Sequence, residues 1–541
     1  MVVPDDLEAD FIVVGGGSAG AVVASRLSED PATSVILVEA GGNGRSFLTE
    51  MPAGFARIVA NPEFDWLYEP IADPSQGGRE WIWSAGKMLG GSSSLNGQVY
   101  IRGARADYDE WAALGATGWS FNDVFPYFLR SESWRGKPSQ AHGSTGPMTV
   151  SPVRDPNPLC RVFLSGCAEA GIPTLEEHND GSDFGAFMAQ TNQRRGLRCG
   201  TEKAYLRPAR RRRNLMIVTE AEVKCLRLDS RRAVGIEFIR DGIRQFAKAR
   251  RETILSAGAL GSPALLMRSG IGPANYLCSR GIEPLCDRSE IGQNLQEHPI
   301  GRVSKFVSVP TLNMQLGRVA MLRHTLNFLL RRKGPLSAPA IQAMALAKTS
   351  DDLDRADVQL HFSPLAYSIK ADAHTIVSSP MAPRPALTIA ASICKPKGRG
   401  HIVLGEDGRP RVVHQLLGNE DDVSTLIAGL RLIQRIFETP SFQAIVEGDF
   451  LPVPLPADRS GWLEYLRGTA CLTWHPAGTC RMGSDEAAVV DPGLRVNEIG
   501  GLRIADASIM PTLPSCNTNA PTIMIGERAA ELMRASIKRG A

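Results

Sequence analysis

Apolar and polar positions fall into two kinds of block along the 541 residues. Unbroken apolar runs at 11–14 and 35–38 predict buried parallel strands, and the small-residue stretch 19–27 between them predicts a helix. Alternation at 215–219, 223–228, 233–239 and 244–249 predicts antiparallel strands. Residues 252–255 then read as another apolar strand ending in a glycine turn, with a helix at 264–268 behind Ser262 and Pro263. Short helices are expected at 107–111 and 123–131, the second capped by Asn122 or Asp123. Further on, 358–362, 387–393 and 401–404 read as strands of one sheet, with helices at 316–330 and 421–437.

Residues 41–83 carry Gly, Pro and aromatics with little period, which predicts loops draped over a ligand. These blocks predict an α/β chain: a Rossmann-like domain with a parallel sheet and added antiparallel strands, and an α+β domain with a mostly antiparallel sheet. The first is expected from 1–155, 205–304 and 462–541, the second from 156–204 and 305–461. A chain of this length exceeds one compact core.

Composition changes this picture little. A net charge of +3 gives no global reason to bind nucleic acid, and the Arg210–Arg213 run reads as a solvated loop. The ten cysteines show no CxxC and no paired metal spacing, so no metal site is expected. The acidic first ten residues lack a signal-peptide pattern, and with free thiols this predicts a cytoplasmic setting. No apolar run reaches membrane-spanning length. Residues 318–333 are apolar and basic enough for a membrane-surface helix, but an internal amphipathic helix at a domain edge is the preferred expectation.

The chemistry starts at Gly15-x-Gly17-x-x-Gly20, between the first strand and the first helix. Glycines there let bare backbone N–H groups meet a pyrophosphate at a helix N-terminus. Glu39 ends the second strand about 20 residues on, where a carboxylate accepts from ribose hydroxyls and disfavours a 2′-phosphate. FAD and NAD both remain open on this stretch alone. A second run, residues 86–97, combines Gly and Ser with buried-type Met88, Leu89 and Leu95, so it reads as backbone brought close to a large flat ligand.

Taken together, these motifs resemble the glucose–methanol–choline (GMC) oxidoreductases. Residues 86–109 (GKMLGGSSSLNGQVYIRGARADYD) and 258–272 (GALGSPALLMRSGIG) resemble the two family signatures. Asn294-Leu-Gln-Glu-His298, the segment from His475 and the stretch from Asp506 to Pro521 follow in family order. The resemblance implies FAD rather than NAD. It implies contacts from Gly15, Gly17, Ser18, Ala19, Gly20, Glu39 and Ala40 in the first unit, and from Trp66, Leu89, Gly91, Ser92 and Val99 in the loops. Asn96 and Gly97 would lie near the isoalloxazine, Val223 near adenine, and Asp506 and Ala507 near the ribityl–phosphate part. Ala257, Trp474, Ala520, Pro521 and Thr522 complete the implied set. Leu95 stands where some members carry a flavin-linking histidine, which implies non-covalent FAD.

Oxidising an alcohol requires a base of near-neutral pKa and a second polar group on the hydroxyl, while hydride acceptance belongs to the flavin. His475 is the expected base and Asn519 its partner on the substrate oxygen; His298 reads as structural. His361, Gln342 and Trp474 are expected to line the substrate pocket, with Met314 and Met344 near it. The stretch 334–349 contains no acid, which argues against choline because an unpaired cation in a dry pocket is costly. The expected substrate is therefore an uncharged primary alcohol, aromatic or aliphatic, with O2 or a quinone-like acceptor taking the electrons. The alternatives are a flavin-containing lyase of the hydroxynitrile lyase type, a choline or polyol dehydrogenase, and an NAD-dependent dehydrogenase.

Overall fold

A computed structural model describes residues 6–368 and 379–540. The first five residues, part of the leader expectation, lie outside that range. The first strand, β1 (Asp6–Val14), is longer than the apolar run, because Leu7 and Ala9 are buried as well. The glycine turn leads into α1 (Gly20–Leu27), which buries every residue except Arg26. β2 (Val35–Val38) then lies parallel to β1.

β3 (Leu215–Val218) pairs parallel to β2, which corrects the antiparallel reading of 215–219. It is the edge strand of that sheet, with Met216 exposed and Leu215 and Val218 buried, so its alternation reports an edge. β4 (Ala221–Asp229), β5 (Arg232–Arg240) and β6 (Ile243–Leu255) form the expected antiparallel meander. The runs at 244–249 and 252–255 are one strand. It runs parallel to β1 along its length, and its end also pairs with the short strand Leu502–Ile504. One long strand thus welds the meander to the parallel sheet. α2 (Gly258–Arg268) starts earlier than expected, because Asp506 Oδ2 accepts from Gly258 N at 2.9 Å and Ser262 Oγ at 2.6 Å and turns the chain there.

The second sheet begins with β7 (Pro299–Val307), from which the chain passes through α3 (Arg318–Arg331) to β8 (Ala343–Ala347), β9 (Val358–Ser363) and β10 (Ala386–Ile393). Strand Gly185–Met188 flanks β8, while Val446–Leu451 and Cys471–Leu472 pair with β7; all pairs are antiparallel. His401–Leu404 is not in this sheet. It pairs with Pro410–Val413 in a separate ribbon.

α4 (Glu420–Phe437) covers one face of the second sheet with Val423, Leu426, Leu430, Ile433 and Phe437, each contributing about 1.5–3 kcal/mol of burial. Its Asn419 cap accepts from Asp421 N and Asp422 N. Met344, His361, Ala390 and Arg302 lie in one register row across the sheet. The helix expected at 107–111 is Arg105–Ala113. The helix Phe121–Ser131 is capped by Ser120, whose hydroxyl bonds the Asp123 carboxylate, rather than by Asn122 or Asp123. α3 is not internal: Phe328 is its one buried residue. The chain ends in α5 (Asn519–Gly540), packed on α1 and on Phe121–Ser131.

Candidate active site

The glycine turn is built as its spacing demands. Gly15 sits at φ +98°, and a Cβ on Gly20 would stand 1.9 Å from the Gly15 carbonyl oxygen. Gly17 faces the second run of glycines, where a Cβ on Gly91 would come within 2.7 Å of the Gly17 Cα. Gly90 N donates to Gly16 O at 2.7 Å, so Leu89, Gly91 and Ser92 are stacked directly on the turn. α1 has no side-chain cap at Ala19, and its N-terminus opens directly on the glycine turn, with Ala21 N donating to Gly17 O at 3.1 Å.

Glu39 also braces the turn. Its Oε2 accepts from Gly16 N and its Oε1 from Gly41 N, both at 2.8 Å, so the carboxylate first of all fixes the turn itself. Burial pushes its pKa up to about 7 against those donors. Asp506 is likewise committed: Oδ1 takes Ser508 N and Oγ while Oδ2 takes Gly258 N and Ser262 Oγ. It knots Ala257 and Ala507 at the strand ends, and burial raises its pKa. Ala40 follows Glu39, and Val223 lies buried in β4 with its carbonyl accepting from Arg268. Trp66 stacks on Tyr68 at 5.6 Å with Lys87 over its ring. Val99 is buried, and Gly97 is exposed with open space where a Cβ would be. Asn96 Oδ1 accepts from Gln98 N and from Arg198 Nη1 at 2.8 Å.

The expected catalytic pair is only half assembled. Asn519 does not meet His475: it starts α5 beside Ala520, Pro521 and Thr522, and its Oδ1 accepts from Ser18 Oγ at 2.9 Å. Asn517, two residues earlier, is the residue at the histidine, with Nδ2 at 3.0 Å from His475 Nε2. Both asparagines precede the same helix. The turn into α5 separates them, aiming one at the phosphate-side crevice and the other at the imidazole.

The network fixes the histidine tautomer. Thr473 Oγ1 has two obligate acceptors, Glu297 Oε1 at 2.8 Å and the His298 carbonyl at 3.1 Å, so its proton goes there. It therefore accepts from His475 Nδ1, 2.9 Å away. His298 Nε2 donates to Cys394 O at 3.2 Å, and burial drives the His298 pKa down to about 3, leaving its Nδ1 bare. That atom also lies 3.0 Å from His475 Nδ1. The Nδ1 proton of His475 is thus held by two acceptors, and Nε2 presents its lone pair. Burial first, then His298 and His361, hold the His475 pKa well below the ordinary imidazole value. Glu297 anchors the backbone of the segment, accepting from His475 N at 2.8 Å and His298 N at 2.9 Å, and burial lifts its pKa to about 7.

Trp474, just before the base, adopts φ +58° and is fastened by its indole N–H to Ile82 O at 3.0 Å. A bulky residue in that region is strained and persists only when its surroundings hold it. His361 lies on the facing sheet with Nε2 at 3.0 Å from Ser392 Oγ, and burial pulls its pKa down to about 4. Gln342 is buried, with Oε1 accepting from Asn157 N at 2.8 Å. Met314 is exposed on the surface, while Met344 is buried opposite His361. Sequence reasoning missed Asn517, Thr473 and Glu297, and their signal was only their adjacency to Asn519, His475 and His298.

An uncapped helix start, a glycine-on-glycine crevice and a buried acid ending the second strand fit a dinucleotide. At the other end of the crevice, a neutral imidazole faces an amide whose Oδ1 is buried without a partner. A Rossmann-type sheet joined to such a pocket defines a flavin-dependent oxidoreductase. Residues 9–300 and 396–526 match the GMC oxidoreductase family models. The chain belongs to the GMC oxidoreductases, and its cofactor is FAD. It is 37% identical to an uncharacterized GMC-type oxidoreductase of Mycobacterium tuberculosis, over 98% of this chain and 100% of that one. It is 35% identical to an alcohol dehydrogenase [acceptor] of Pseudomonas putida, over 97% and 95%. Among solved structures, pyridoxine 4-oxidase of Mesorhizobium loti superposes with a TM-score of 0.87 at 29% identity, covering 97% of this chain and 99% of that one.

Proposed function

We propose that this protein oxidises uncharged primary alcohols, aromatic or aliphatic, to aldehydes, with His475 as the general base and Asn517 holding the reacting oxygen. The observation that carries the reading is the lone pair of His475 Nε2, which meets the Asn517 amide at 3.0 Å. A hydroxyl that displaces this hydrogen bond donates its proton to Nε2 and accepts from Nδ2. Thr473 and His298 keep the Nδ1 proton in place as Nε2 gains the second, and Glu297 keeps the ring from swinging away. FAD, when bound, supplies the hydride acceptor. Gly17, Ser18 and the first turn of α1 would hold its pyrophosphate, and the segment around Asn96 its ring.

An uncharged substrate is supported by the state of Glu297. Its oxygens are already occupied by backbone and Thr473 donors, and its raised pKa makes it a poor counter-ion for a quaternary ammonium. Non-covalent FAD is supported by Leu95, which is buried with Ile58 and Met88 and offers no nucleophile. The two-domain division in five segments and a cytoplasmic setting are retained within this proposal. The test is an anaerobic titration of the holoenzyme with primary alcohols, followed by air. Bleaching of the flavin band supports the reading, and a band unchanged across the panel overturns it in favour of a lyase. Fast return of colour in air assigns O2 as acceptor, and slow return a quinone-like one.

A further inference from the structure

Seven of the sixteen exposed large apolar side chains among the described residues lie between Met314 and Leu330. Within α3, Val319 is 85% exposed, Leu330 80% and Leu322 63%, with Leu326 and Leu329 near half. At about 100° per residue these five fall within an arc of about 100°, and Phe328, the helix's one buried residue, points the opposite way. Phe328 is clamped by an edge contact with Phe47. The helix is therefore fastened by one side and shows an apolar stripe on the other.

The charge that α3 and its flanking sequence carry has one sign. Between Glu297 and Asp351 the sequence contains no acid, while α3 and its exit carry Arg318, Arg323, Arg331, Arg332 and Lys333. Arg318 and Arg323 border the stripe on its two sides, and none of the five is in an ion pair among the described residues. A second copy of the same face would set these cations against one another. An anionic lipid surface would instead take the leucines into its headgroup–acyl boundary and the cations at its phosphates. No helix among the described residues is long and apolar enough to cross a membrane, so the contact lies on the surface.

We propose that α3 seats this protein on anionic bilayers. The packed side of α3 connects to the cofactor side through Phe47, whose helix supplies the Thr49 carbonyl that accepts from Arg198 Nε; Arg198 in turn holds Asn96. The inference does not depend on which alcohol is oxidised.

The test is co-sedimentation of the FAD-loaded protein with phosphatidylcholine vesicles, with and without phosphatidylglycerol, at low and high salt. The expected result is binding to the phosphatidylglycerol vesicles only, weakened by salt. Val319→Glu/Leu322→Glu/Leu326→Glu should lower the partition more than tenfold. Arg318→Gln and Arg323→Gln should each lower it about fivefold at low salt. All these positions are exposed, and an unchanged flavin spectrum and melting temperature check that each variant is folded. Absence of binding, equal binding to neutral vesicles, or full binding by the triple variant overturns the proposal. So does a dimer in light scattering that the triple variant converts to monomer, which assigns the face to a second copy.

Discussion

The nucleotide crevice and the histidine pocket satisfy their polar groups in opposite ways. In the crevice, Glu39 and Asp506 have their oxygens taken by backbone and serine donors from their own turns. In the pocket, the proton on His475 Nδ1 is oversubscribed, its Nε2 meets only the Asn517 amide, and Asn517 Oδ1 has no partner. Leaving a buried polar atom unmet costs on the order of 1–3 kcal/mol. The acids of one region are thus spent on its own turns, and the other keeps an acceptor unmet for what enters it.

This contrast can be broken first at the scaffold. Gly20→Ala places a methyl on the Gly15 carbonyl, and the expected outcome is loss of bound FAD by at least about tenfold, read from the flavin-to-protein absorbance ratio. Retention of full flavin would show that the crevice tolerates what its geometry forbids.

The pocket is sharpened by its two asparagines. Asn517→Ala should slow anaerobic bleaching by about 10–100-fold with FAD retained. Asn519→Ala should leave the bleaching rate within about threefold and instead loosen FAD, since only Ser18 loses a partner. The reverse pattern would return Asn519 to the catalytic pair.

The smallest effect is on pH. Burial depresses the His475 pKa, so the neutral base persists as pH falls through the ordinary imidazole value, and protonation removes it only below that. In kcat/KM the acidic limb should therefore lie below pH ~6.5. A limb at or above that value would mean a solvated or charge-paired histidine.

The same contrast explains what could be read in the sequence. The crevice is local: strand, glycines, helix and Glu39 lie within one βαβ unit, and period and spacing specify them. Elements with long apolar faces, such as 421–437, were also legible. Edge effects were not, since the exposed Met216 made a parallel strand alternate, and α3 has a helical period whichever face is buried. The pocket draws on Glu297, His298, Thr473, His475 and Asn517, which meet only after β7 is laid beside Cys471–Leu472. No spacing rule separates Asn517 from Asn519; the start of α5 does.

The most direct test is the rate of anaerobic flavin bleaching by a primary alcohol in His475→Ala against the unmodified holoenzyme. A base acting through Nε2 predicts a fall of about 10²–10⁴-fold with the flavin spectrum before mixing unchanged. A rate within a few-fold of the unmodified enzyme would contradict the assignment and leave the His475 network a structural one.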